Sequence, residues 1–134
     1  VQTLPNTGKY ENDNFLITLS FANGSLGTIA YLANGSRSSG KEYLELFTDG
    51  KTIIMDDFRK LYRYGISGRN KKKSSRQDKG HTAAWESFIT AITNQADPPI
   101  PYEDLIQSSF TTLACDHAQQ TGGIVNVAYF ITQK

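Results

Sequence analysis

Lys41-Glu42-Tyr43-Leu44-Glu45-Leu46-Phe47-Thr48-Asp49-Gly50-Lys51-Thr52-Ile53-Ile54-Met55 is the stretch that decides the fold class. From Glu42 to Phe47, with Tyr43, Leu44, Leu46 and Phe47 apolar, the stretch reads as a strand whose side chains point to opposite faces. Asp49-Gly50 then tolerates the positive φ angles of a tight hairpin. Thr52 to Met55 is rich in β-branched residues and returns as the second arm.

The same pattern extends in both directions. Phe15, Ile17, Leu19 and Phe21 fall on one face of a strand. Asn23-Gly24 predicts a two-residue hairpin, and Leu26 to Leu32 the strand that follows it. Asn34-Gly35 opens a looser loop running to Gly40. Phe58 to Tyr64 predicts one more strand. The first half therefore reads as an antiparallel meander of about five strands. Val1 to Asn14, with Pro5 and Gly8, reads as a polar lead-in.

The period then changes. Trp85, Phe88, Ile89 and Ile92 lie at i, i+3, i+4 and i+7, a helical stripe. Pro98-Pro99-Ile100-Pro101 ends that helix. Glu103 and Asp104 place acids at the positive end of a second helix. Ile106, Phe110, Leu113, Ala114 and His117 are its expected buried face, and Gly122-Gly123 its C-cap. Ile124 to Ile131, β-branched and aromatic, predicts a closing strand. The sum is an α+β fold: one domain over 1–134, with an open, mainly antiparallel sheet and two helices packed on one face. The other face of such a sheet calls for cover by a second domain or subunit.

Composition sets further bounds. At 134 residues the chain is long enough for one core. Its single cysteine, Cys115, excludes an internal disulfide and a cysteine-built metal cage within one chain. Cys115 falls in an apolar helical pattern and reads as core. A cytoplasmic setting is the expectation from cysteine usage and from the lack of a signal pattern or a long apolar run.

Charge is distributed unevenly. Nine of the fourteen Lys and Arg residues lie between Arg59 and Lys79, with Asp78 as the sole acid there. Such a window can attract nucleic acid, with Tyr62 and Tyr64 as stacking platforms, or an anionic or nucleotide-linked sugar. Gly65, Gly68, Asn70, Ser74 and Ser75 make the lysine run read as a solvated loop, so the expectation is no nucleic acid and no membrane. Gly35-Ser36-Arg37-Ser38-Ser39-Gly40-Lys41 has P-loop glycine and lysine spacing. Glu42 stands where a Ser or Thr is needed, however, and a strand follows rather than a helix. Two histidines, His81 and His117, do not make a metal site.

Lys41-Glu42 with Glu45-Leu46-Phe47, Asp56-Asp57-Phe58-Arg59, Gln77-Asp78-Lys79-Gly80-His81 and Pro99-Ile100-Pro101 occur in that order. Together with Asp13-Asn14-Phe15 and the Phe21 to Tyr31 segment, this series resembles the C-terminal domain of the glucose–fructose oxidoreductase/inositol dehydrogenase (Gfo/Idh/MocA) family over roughly 13–122. The resemblance implies a Rossmann domain on the N-terminal side, outside this chain, that binds NAD or NADP. It implies hydride transfer on a sugar or cyclitol, and a homo-oligomer formed through the open sheet face. The family's Glu-Lys-Pro and Asp-x-x-x-His motifs and a G-x-G-x-x-G do not occur here. No catalytic, cofactor or metal residue is therefore transferred, and the chain alone is expected to be inactive. Lys41, Lys79 and His81, at expected strand or helix ends, are the candidate substrate contacts. The alternatives are a free-standing binding or assembly module and a nucleic-acid binder using the basic loop.

Overall fold

The computed structural model describes residues 1–3, 13–68 and 70–132. The lead-in around Pro5 and Gly8, and Arg69 of the basic window, lie outside the described residues. The fold is α+β, with antiparallel strands in two sheets and three helices among the described residues. The chain divides into two compact units, residues 1–35 with 97–134, and residues 36–96.

In the first unit β1 (Gln2–Thr3), β2 (Asn14–Ser20) and β3 (Leu26–Leu32) form a sheet in that order. β2 and β3 pair over their whole length, from Asn14 opposite Leu32 to Ser20 opposite Leu26. The Asn23-Gly24 reversal is one residue longer than predicted. The Phe21 N–H donates to the Ser25 carbonyl at 3.0 Å and the Gly24 N–H to the Phe21 carbonyl at 2.9 Å. Gly24 takes the left-handed position, with φ 84°.

Phe15, Ile17 and Leu19 share a face as expected. With Ile29 they line a hollow whose other wall is Thr111, Cys115 and Gln119 of α2 (Tyr102–Thr121). Phe15 stacks on Tyr31, its cross-strand partner, with ring centroids 5.1 Å apart. Ala114 and Ala118 are the buried residues of α2, while Leu113 is exposed. Gly122 closes α2 in the left-handed conformation, its N–H on the Ala118 carbonyl at 2.9 Å, as predicted.

The closing strand expected over Ile124 to Ile131 is instead a helix, α3 (Val127–Thr132). Asn126 explains it: its side-chain oxygen accepts from the Tyr129 N–H at 3.2 Å, and its carbonyl accepts from the Phe130 N–H at 3.0 Å. A helix cap thus outweighs the β-branched composition. His117, expected to be packed in a core, is exposed and lies 5.6 Å from the Phe130 ring of α3.

In the second unit β4 (Tyr43–Thr48), β5 (Lys51–Asp56), β6 (Lys60–Tyr64) and β7 (Lys71–Lys73) form a four-stranded antiparallel sheet in chain order. Asp49 and Gly50 both have positive φ, 44° and 70°, and Thr48 pairs with Lys51, the predicted two-residue turn. The lysine run is not the predicted loop: Lys71, Lys72 and Lys73 pair with Tyr62, Leu61 and Lys60 as an edge strand. Helix α1 (His81–Thr93) starts where the stripe predicts. That stripe is open, with Trp85 66% and Ile92 59% exposed. No helix among the described residues is long and apolar enough to cross a membrane.

Candidate functional site

Three segments separated in sequence meet at one end of the β4–β7 sheet. They are the approach to β4, the β5–β6 turn, and the chain leading into α1. The turn is the hub. Asp57 and Phe58 both take φ 52°, the left-handed region. An aspartate enters that region readily, but a phenylalanine rarely does. The turn is therefore held by its surroundings.

Those surroundings centre on the Asp57 carboxylate. Its Oδ1 accepts from the Lys41 backbone N–H at 3.1 Å and from the Gln77 amide at 2.9 Å. Its Oδ2 lies 3.6 Å from Arg59 Nε. The Asp57 N–H donates to the Glu42 carbonyl at 2.7 Å. The Phe58 and Arg59 carbonyls accept from the N–H groups of Asp78 at 3.3 Å and Ser74 at 2.8 Å. Gly40 runs so close that a Cβ there would lie 3.3 Å from Asp57 Cβ.

Lys79 completes the cluster. Its ammonium pairs with Glu42 Oε1 and stands 5.8 Å from the Phe58 ring centroid, within cation–π range. Glu42 Oε2 is buried and has no hydrogen-bond partner among the described residues. Beside the cluster, Lys60 Nζ lies 2.7 Å from Asp56 Oδ2, and that bond raises the lysine's pKa above its ordinary value. At the start of β4 the Tyr43 hydroxyl donates to Glu45 at 2.9 Å, which holds the phenol above its ordinary pKa.

Of the residues singled out from sequence, Lys41 and Lys79 are brought together here. Lys41 contributes its backbone N–H and leaves its side chain exposed. Lys79 is ion-paired. His81 is exposed at the first position of α1, with no hydrogen bond or ion pair to the cluster among the described residues. Glu42, Asp57 and Gln77 belong to the same motifs but are not among the candidates the sequence points to. The signal that identifies them is the reach of Asp57 to both flanking segments, which only the turn geometry reveals. Carboxylate acceptors beside ammonium, guanidinium and amide donors suit orientation of a polyhydroxylated molecule.

Every strand pairing among the described residues is antiparallel, whereas a Rossmann site is built on parallel strands joined through a helix. The class of protein defined so far is an α+β chain with a polar cluster at one sheet end. No protein-family model, curated protein or solved structure matches the chain.

Proposed function

We propose that the chain is the substrate-side and assembly domain of an NAD(P)-dependent oxidoreductase acting on a sugar or cyclitol, with the dinucleotide held by a separate Rossmann domain. The observation that supports this reading is the clustering itself. Lys41-Glu42, Asp56 to Arg59 and Gln77 to Lys79, the segments that carry the family resemblance, converge at one sheet end. There Lys41 and Arg59 present exposed cationic side chains, and His81 stands exposed at the start of α1. In this reading the domain binds and orients substrate hydroxyls, and hydride transfer occurs on the cofactor domain. The setting is cytoplasmic, the assembly is a homo-oligomer, and neither nucleic acid nor membrane takes part.

The test is alanine replacement of Lys79 and His81 in the parent enzyme. A fall in kcat/KM of more than about threefold, roughly 0.7 kcal/mol, supports the assignment. Smaller changes at both positions sink it. A second reading, a binding or assembly module with no enzymatic role, is favoured by the open stripe of α1. It predicts a parent gene that encodes no dinucleotide-binding domain.

A further inference from the structure

Helix α2 turns its polar side to the sheet of the first unit. The stripe expected from sequence to be its buried face, Ile106, Phe110, Leu113, Ala114 and His117, lies on the other side of the helix. The side that meets the hollow over β2 and β3 carries Thr111, Thr112, Cys115, Asp116, Gln119 and Gln120, at i, i+1, i+4, i+5, i+8 and i+9. Opposite them stand Phe15, Ile17, Leu19 and Ile29. A helix normally covers a sheet with its apolar stripe. Here a mostly polar wall faces an apolar one across about 760 Å³ of open space, within the size range of small-molecule sites.

The hydrogen bonds of the polar wall set what it can bind. The Thr111 hydroxyl donates to the Gln107 carbonyl at 2.7 Å, and the Thr112 hydroxyl to the Ser108 carbonyl at 3.1 Å. The Gln120 amide donates to Asp116 Oδ2 at 2.8 Å. With those protons committed, the two hydroxyl oxygens and the Asp116 carboxylate are left as acceptors. Asp116 is exposed, and among the described residues it is the only charged side chain that lines the hollow. Val1 lines it too, but among the described residues its α-amino group makes no ion pair with Asp116. The wider charge has the same sign as Asp116. Residues 1–35 and 97–134 hold six acids and no arginine, against Lys9 and Lys134, which lie outside the described residues.

We propose that this hollow binds an amphipathic amine, a small molecule with an apolar body and a protonated primary amine. The body lies against Ile17, Leu19 and Ile29. The ammonium has three donors and no acceptor, which matches a carboxylate beside two hydroxyl oxygens whose own protons are committed. An anionic head would meet Asp116 with like charge. A wholly apolar molecule would take water from the acceptors of α2 and return no donor. The site stands on the first unit and owes nothing to the sugar-oxidoreductase reading.

The experiment is a titration of the full chain with octylammonium, methylammonium, octanol and octanoate, followed by methyl NMR. Octylammonium is expected to bind more tightly than octanol by about threefold or more, the scale of an exposed ion pair. It should exceed methylammonium by about tenfold or more, through burial of its alkyl chain. Its shifts should fall at Ile17, Leu19, Ile29 and Thr112. Asp116→Asn should weaken octylammonium by about threefold or more and leave octanol unchanged. Ile29→Thr, at a position 48% exposed, should weaken both.

Octanol or octanoate bound as tightly as octylammonium overturns the proposal. So does methylammonium bound as tightly, which would mean that charge alone attracts the probe. Unchanged affinity in Asp116→Asn, or shifts confined to the open stripe of α1, overturns it as well.

Discussion

The Lys41 N–H donates to Asp57 Oδ1 at 3.1 Å, across sixteen residues of sequence, and so fastens the approach to β4 onto the β5–β6 turn. Asp57→Ala removes the oxygen that accepts from both Lys41 and Gln77, and places alanine at φ 52°. We expect a loss of about 2–3 kcal/mol. Asp57→Asn keeps an acceptor and a residue tolerant of that φ, and should lose about half as much. Urea midpoints of the two variants check this. Equal losses would show that the carboxylate charge, rather than the acceptor, holds the turn.

Gly50 and Gly65 form a pair of unequal glycines. Both have φ near 70°, but a Cβ on Gly50 meets open space, whereas one on Gly65 would lie 2.5 Å from the Gly50 carbonyl oxygen. Gly50→Ala should cost about 1–2 kcal/mol, the strain of the left-handed conformation. Gly65→Ala adds a backbone displacement and should cost about 2 kcal/mol more. Thermal melts of both variants decide it, and the order of their Tm values is the result that matters.

The Glu42–Lys79 pair has side chains about one-third exposed, 35% and 33%. A double-mutant cycle should return a coupling of about 0.5–1 kcal/mol that shrinks as salt is added. The single changes should be unequal. Lys79→Met leaves a carboxylate whose Oε2 is already buried without a partner among the described residues, so it should destabilise more than Glu42→Gln. The opposite order would mean that water solvates Glu42.

Alkaline pH should loosen the second unit through Tyr43 and Lys60. Both have raised pKa values when folded, Tyr43 first through its hydrogen bond to Glu45 and Lys60 first through its bond to Asp56. The folded state therefore favours their protonated forms. That contribution is complete below the ordinary tyrosine and lysine values of 10.0 and 10.5, and is lost as pH rises through the higher folded values. Tyr43→Phe should remove from the absorbance titration a phenol that ionises above the ordinary tyrosine value. Tyr43→Phe with Lys60→Met should flatten the alkaline fall in stability.

Local signals fixed much of the fold. Asp49-Gly50 set both the turn and the register of β4 and β5, because only residues at ease with positive φ fit there. The i, i+3, i+4, i+7 stripe set α1, and Gly122 set the end of α2. Where two local signals competed, composition misled. Asn126 caps a helix that β-branched neighbours disguised as a strand. Glycine and serine around Lys71 to Lys73 disguised a strand as a loop, because its pairing partner, β6, lies in a different segment. The division into two units was also illegible, since residues 97–134 join 1–35 across sixty-one intervening residues of chain.

The site was legible as motifs and not as a site. Glu42, Asp57 and Gln77 are ordinary polar residues until the left-handed turn at Asp57 and Phe58 aims one carboxylate at two distant segments. Sequence spacing carries no record of that aim.

The interleaving of the two units has a consequence for synthesis on the ribosome. The β4–β7 sheet and α1 lie within 36–96 and can fold once that stretch has emerged. β2 and β3 emerge earlier but must wait for Tyr102–Thr121, the helix whose side chains form the far wall of their hollow. Of the two units, the one whose strands emerge earlier is thus finished later, and Phe15, Ile17 and Leu19 stay uncovered in the interval. A nascent chain stalled near residue 100 would expose that surface, the moment at which a chaperone has most to protect.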